Sequence, residues 1–194
     1  KMPPLVPVSG GAGFNDEPAM CRTPDGSVYV AWLSFRDGAD SLQLARLQPH
    51  QGGFKPAGSW QLLGGPGTYV LGVTAIAAGE RAAVLYAAEK HKNWDIYAVF
   101  CGADGPEKPV RVSSDPAVDV KPAAAWHDGT LWVAWESNRE GARQVFSAAV
   151  RGSKVSEPEP VSRPDASAYA PSVAVLDSGA VCVAWHGFRR TNFD

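Results

Sequence analysis

This chain has few of the features that identify common protein classes. It holds three cysteines in 194 residues, Cys21, Cys101 and Cys182, too few and too scattered for a disulfide framework, so buried free thiols are expected. The four histidines and the cysteines show no metal-ligand spacing, and no cofactor motif is present. No stretch approaches the roughly 20 apolar residues of a membrane-spanning helix. A formal net charge of -2 gives no electrostatic reason to expect a nucleic-acid or anionic-membrane partner. Nowhere does the apolar pattern keep a helical period. What remains is a chain with 20 glycines, 16 prolines and seven tryptophans, rich in turns and well supplied with core residues.

The chain is organised around residues 122–150, PAAAWHDGTLWVAWESNREGARQVFSAAV. An apolar run, an Asp-Gly turn, a strand at 131–135, a polar hairpin at 136–143 and a second apolar run make an antiparallel meander. The meander recurs. VYVAW at 28–32, AAVLY at 82–86 and VCVAW at 181–185 match LWVAW, and their final aromatics, Trp32, Tyr86, Trp135 and Trp185, are spaced 54, 49 and 50 residues apart. A glycine precedes each aromatic by six or seven positions, at Gly26, Gly79, Gly129 and Gly179. A base follows each by four, at Arg36, Lys90, Arg139 and Arg189. A third strand resumes at Leu42, Ile96 and Val145, and a fourth follows in WQLL, PVRVS and EPVS.

Four short strands at a period near 50 predict an all-β fold, a β-propeller of four-stranded antiparallel blades. The expected blades are residues 15–63, 69–113, 119–162 and 169–194, the last cut short, with 5–9 as the outer strand of a closing blade. Three full blades and parts of a fourth imply a piece of a six- to eight-bladed ring, completed by further blades from the same or another chain. Ala19, Ala75, Ala123 and Ser172 are expected near the axis, where only small side chains fit.

The pattern of entry proline, D-G, V-x-V-A-W and S-x-R-x-G resembles the bacterial sialidase-like and TolB-like propellers over essentially the whole chain. The resemblance implies the propeller fold and, less specifically, an extracytoplasmic glycan-related role. The Asp box of sialidase-like blades is eroded here, because only Asp104 and Gly105 stand at a matching place.

Candidate functional residues fall on the hairpins between second and third strands. Arg36, Lys90, Arg139 and Arg189 could form a ring of cations for carboxylates or acidic sugars. A repeated base is more simply read as having a partner within its own blade, such as Asp119 for Arg139. Just past the repeated aromatic the units diverge to Leu33, Ala87, Glu136 and His186, which makes Glu136 and His186 the candidates for acid-base catalysis. The repeated aromatics suit packing between blades, whereas tip aromatics such as Trp94, in Asn93-Trp94-Asp95, suit a sugar platform. The favoured reading is a non-catalytic propeller module, periplasmic or extracellular, holding a protein or glycan partner on its hairpin face. The second reading is part of a sialidase-type glycoside hydrolase whose other catalytic residues lie outside this segment.

Overall fold

Asp-Gly and related turns set the strand boundaries. Gly26, Gly79, Gly129 and Gly179 all have φ between 63° and 82°, the left-handed region that glycine enters without steric cost, and each opens a second strand. The computed structural model describes residues 5–10, 13–189 and 192–193. Its described residues form four antiparallel sheets in chain order, and no helix. Blade 1 is β1 (Phe14–Arg22), β2 (Val28–Arg36), β3 (Ala39–His50) and β4 (Gly53–Gly64). Blade 2 is β5 (Val70–Ala78), β6 (Arg81–Lys90), β7 (Asn93–Gly102), β8 (Gly105–Pro106) and β9 (Val110–Arg111). Blade 3 repeats that plan with β10 (Asp119–His127), β11 (Thr130–Glu140), β12 (Ala142–Arg151), β13 (Lys154–Val155) and β14 (Glu159–Pro160). Blade 4 comprises β15 (Ser167–Val175), β16 (Val181–Arg189) and β17 (Asn192–Phe193).

The outer strand is continuous in blade 1 but split in blades 2 and 3. Pro106 and Pro109, and likewise Pro158 and Pro160, have no N–H to give the ladder, so only two-residue pieces pair on either side. A serine closes each broken edge. Ser113 Oγ accepts the Ile96 amide at 3.0 Å, and Ser162 Oγ accepts the Val145 amide at 2.9 Å. The expected outer strand at residues 5–9 does not form. That segment carries no regular structure and lays Val8 against the cluster of Val30, Trp32 and Ala45.

Packing follows the two-residue alternation of strands. In β6, Ala82, Val84, Tyr86 and Ala88 face blade 1, while Ala83, Leu85 and Ala87 face blade 3, so the strand is buried from Ala82 to Ala88. In β7, Tyr97, Val99 and Cys101 face blade 1, and Ile96, Ala98 and Phe100 face blade 3. Trp135 fills the seam between blades 2 and 3 with none of its surface exposed. The cysteines are free. Cys101 is buried, and burial pushes its thiol up to about 12, but Cys182 is exposed, against the expectation of a buried thiol.

Each innermost strand carries a bulge at the same place: between Asp16 and Ala19, Leu71 and Thr74, Val120 and Ala123, Tyr169 and Ser172. The residue inside it has positive φ every time, at Glu17 (46°), Gly72 (67°), Lys121 (52°) and Ala170 (47°). Three of the four precede a proline, which has no N–H to donate, so the break in the ladder at the bulge strands no donor there. In blade 2 Val73 takes the proline's place, and its N–H needs an acceptor. Glu17 Oε2 of blade 1 supplies it at 3.1 Å. Gly72 is required on two counts, since a Cβ there would lie 3.2 Å from both Lys121 Cα and Pro122 Cδ of the next blade. This register corrects one expectation: Thr74, not Ala75, is equivalent to Ala19, Ala123 and Ser172, and Ala75 packs into the seam between blades 1 and 2.

Replacing Trp135 with Ala should cost about 3–5 kcal/mol, as large-to-small changes in a closed core do. Urea unfolding of the variant and parent checks it, and an unchanged midpoint would place Trp135 outside the load of the core.

Candidate functional site at the hairpin face

The β2–β3, β6–β7 and β11–β12 hairpins stand on the same face as the starts of the inner strands, because each inner strand begins opposite the end of its neighbour: Phe14 faces Phe35, Val70 faces Ala88, and Asp119 faces Ser137. All the sequence candidates lie on or near this face.

The repeated bases meet different fates. Arg139 donates to both oxygens of Asp119 at 3.3 and 3.1 Å and to Ser137 Oγ at 3.0 Å, and its guanidinium lies 4.1 Å from the Phe146 ring centre. Asp119 has no exposed surface, so this guanidinium neutralises a buried acid within its own blade. Arg36 repeats the serine contact, Nε to Ser34 Oγ at 3.0 Å, and also donates to the Gly10 carbonyl. Lys90 places its ammonium 4.7 Å over the Tyr97 ring. Arg189 ends β16, and its side chain lies outside the described residues. The three described bases, Arg36, Lys90 and Arg139, are each held within their own surroundings. Trp94 is half-buried and packs into the core between blades 2 and 3, so it offers no free platform on the tip.

Glu136 is buried, with 1% exposure. Its Oε1 accepts the Ala170 amide of blade 4 at 2.8 Å and sits 3.6 Å from Lys121 Nζ, while Oε2 accepts from Arg143 Nη1 at 2.9 Å. Both oxygens are taken, and neither is placed to exchange a proton with a ligand. The side chain joins blade 3 to the bulge of blade 4 as Glu17 joins blade 1 to that of blade 2. His186 is exposed and stacks on Tyr169, with ring centres 5.6 Å apart and planes at 23°. The structure thus brings both catalytic candidates to the Tyr169-Ala170 step, but with Glu136 engaged in holding the blades.

The hairpin of blade 2, where the sequence offered Lys90 and Trp94 as binding candidates, holds a cleft that Lys90 lines and Trp94 does not. An open cleft of about 470 Å³ is lined by Lys90, His91, Asn93, Asp95, Tyr97 and Arg111. Arg111 arrives from the outer strand, opposite Tyr97, and its Nη2 donates to Asp95 Oδ2 at 2.6 Å. Asn93 Nδ2 bridges Asp95 Oδ1 at 3.2 Å and the Asp115 carbonyl at 2.7 Å. Burial raises the Asp95 carboxyl above its ordinary value, and the hydrogen bond and charge of Arg111 oppose that shift. The Asn93-Trp94-Asp95 tip is distinctive in the sequence, but the partner of Asp95 is supplied 16 residues later by strand pairing. Among the described residues, no group of three histidine, cysteine, aspartate or glutamate side chains is placed to hold a metal ion.

No protein-family model and no curated protein sequence matches the chain. Solved structures do. An endo-arabinase from Bacteroides thetaiotaomicron superposes with a TM-score of 0.55 at 17% identity, covering 87% of this chain and 69% of that one. An alpha-L-arabinanase from Penicillium chrysogenum, complexed with arabinobiose, gives 0.63 at 13% identity over 88% of this chain and 56% of its own. A subtype N10 neuraminidase-like protein of A/little yellow-shouldered bat/Guatemala gives 0.59 at 12% over 97% and 61%. The fold is the propeller fold of these proteins, and the sialidase-like side of the resemblance is the one they support. At these identities the likeness is one of fold, and the chain spans 56% to 69% of the length of those structures.

Replacing Glu136 with Ala should destabilise the protein by about 1–3 kcal/mol, chiefly by stranding the Ala170 amide, since Arg143 and Lys121 are open enough to regain water. Glu136→Gln, which keeps a carbonyl for Ala170, should cost less. Chemical denaturation of both variants checks the order.

Proposed function

We propose that this chain is a non-catalytic propeller interaction module that holds a protein or glycan partner on its hairpin face, outside the cytoplasm and within a larger propeller assembly. The observation that carries this reading is the contrast between Glu136 and the blade-2 cleft. The acid offered for catalysis spends one oxygen on the Ala170 amide of blade 4 and the other on Arg143 of its own blade, while the polar groups that do line an open cleft are two cations, an amide, an imidazole, a phenol and one acid already paired with Arg111. Such a cleft can hold a ligand, but it has no second acid for a paired-carboxylate cleavage, and Tyr97, the phenol beside Asp95, is 6% exposed beneath the Lys90 ammonium instead of standing open as a nucleophile.

The second reading, part of a glycoside hydrolase, draws on the fold shared with the arabinanases and the neuraminidase-like protein over 87% to 97% of this chain. Under it, the reacting groups come from blades beyond this segment. The two readings part in an assay of the native polypeptide that carries this segment. Incubated with linear arabino-oligosaccharide and with a fluorogenic sialoside, it should release no sugar above buffer, and should show saturable binding on a panel of immobilised oligosaccharides and peptides. Turnover that disappears in Glu136→Gln or His186→Ala would overturn the module reading.

A further inference from the structure

We infer that the blade-2 cleft, between the Lys90–Asn93 hairpin and Arg111, is a docking site for a carboxylate-bearing segment of an acidic polypeptide. The inference rests on the module reading above and names the partner's chemistry.

Two independent features single out this hairpin. The first is its backbone. His91 and Lys92 have φ of 54° and 65°, so the turn needs the left-handed conformation at both central residues. Asp-Gly and Asn-Gly suit such a turn, and blade 1 uses Asp37-Gly38 at the same place, with φ of 51° and 78°. Blade 2 places there a histidine, which tolerates that conformation, and, where blade 1 has glycine, a lysine, which pays a steric cost in it. The result is a run of three basic residues, Lys90, His91 and Lys92, of which Lys90 and His91 line the cleft and Lys92 sits beside them in the turn. Strain of this kind is found where side chains serve a function.

The second feature is the fixed guanidinium. Arg111 is 48% exposed in its side chain, yet it is anchored by Asp95, which is 1% exposed and further held by Asn93. The arginine is thus positioned before any ligand arrives, and a planar donor fork held in place suits a carboxylate. With the Asp95 charge offset by Arg111, the cleft retains the positive charge of Lys90, to which His91 adds when protonated.

The aromatic arrangement favours a peptide over a sugar. A sugar ring is commonly gripped by the face of an exposed aromatic. Here the Tyr97 ring is 6% exposed, stacked on Tyr86 at 5.7 Å between ring centres, and covered by the Lys90 ammonium. Trp94 is turned into the core. Cations and hydrogen-bond donors remain at the cleft, without a stacking surface.

The test uses fluorescence anisotropy with a labelled dodecapeptide of alternating Glu and Ser, its Gln counterpart, and an oligogalacturonate as competitor. The Glu peptide should bind saturably at low salt and weaken as salt rises, and the Gln peptide should not bind. Lys90→Gln and Arg111→Lys should each weaken binding about tenfold or more, the scale of one charge-assisted hydrogen bond. Arg36→Gln on blade 1 should change nothing. The double variant His91→Asn, Lys92→Gly should lose affinity while its melting temperature rises, because it restores the favoured turn chemistry. Equal binding of the Glu and Gln peptides would overturn the proposal, as would tighter binding of the oligogalacturonate than of the peptide. Glu-peptide binding unchanged by the cleft variants would also overturn it while leaving the module reading intact. Sugar release by the chain would remove both.

Discussion

A propeller blade is a thin sheet with two apolar faces, and it satisfies neither by itself. That constraint governs the rest of this structure. Blade 2 is the plainest case: every residue of β6 from Ala82 to Ala88 is buried, alternate side chains going to blade 1 and to blade 3. Removing either neighbour would return one such face to water, at roughly 25 cal/mol for each Å² of apolar surface. Stability is therefore a property of adjacent pairs of blades, as in other repeat architectures. The carboxylates of Glu17 and Glu136 add direction to the apolar contact, because each reaches from one blade to a bulge amide of the next and fixes how the sheets meet.

The bulges explain why those carboxylates are needed. An inner strand with a residue at positive φ loses a ladder bond at that point, and a proline after it removes the donor that would otherwise be stranded. Blade 2 has Val73 instead of that proline and finds its acceptor on Glu17. In blade 4 the Ala170 amide finds Glu136. Glu136 thus serves the scaffold at a position where a sequence reading that looks for differences between repeats finds a candidate for catalysis.

How much was legible from sequence follows from this physics. The second strands, their glycine turns and the repeated aromatics could be read because they depend on local pattern: alternation, left-handed turn residues and a large side chain at a fixed offset. The bulges were hidden because Glu17, Lys121 and Ala170 look like ordinary strand residues, and only the following proline hints at them. Blade 2 lacks that hint, which is why its inner strand read one residue out of register at Ala75. Residues 5–9 have the composition of an outer strand, but pairing requires a partner edge, and here Val8 packs on a face. The cleft was hidden for another reason. Asp95 and Arg111 meet through pairing of third and fourth strands, and Trp94 packs on a core cluster that blades 2 and 3 build together. The blades share a scaffold, and their differences lie where the hairpins turn: Asp37-Gly38 in blade 1, His91-Lys92 in blade 2, Gly141 in blade 3.

The dependence of each blade on its neighbours is tested most directly by native-state hydrogen exchange resolved by residue. Mutual burial of the blades requires the amides of β6 and β7 to be the last to exchange and to open together with those of β10, β11 and β12. The bulge amides of Val73 and Ala170 should be protected although they lie outside a regular ladder. Blades that lose protection one at a time, with β6 no slower than β15 and with Val73 and Ala170 exchanging freely, would contradict it.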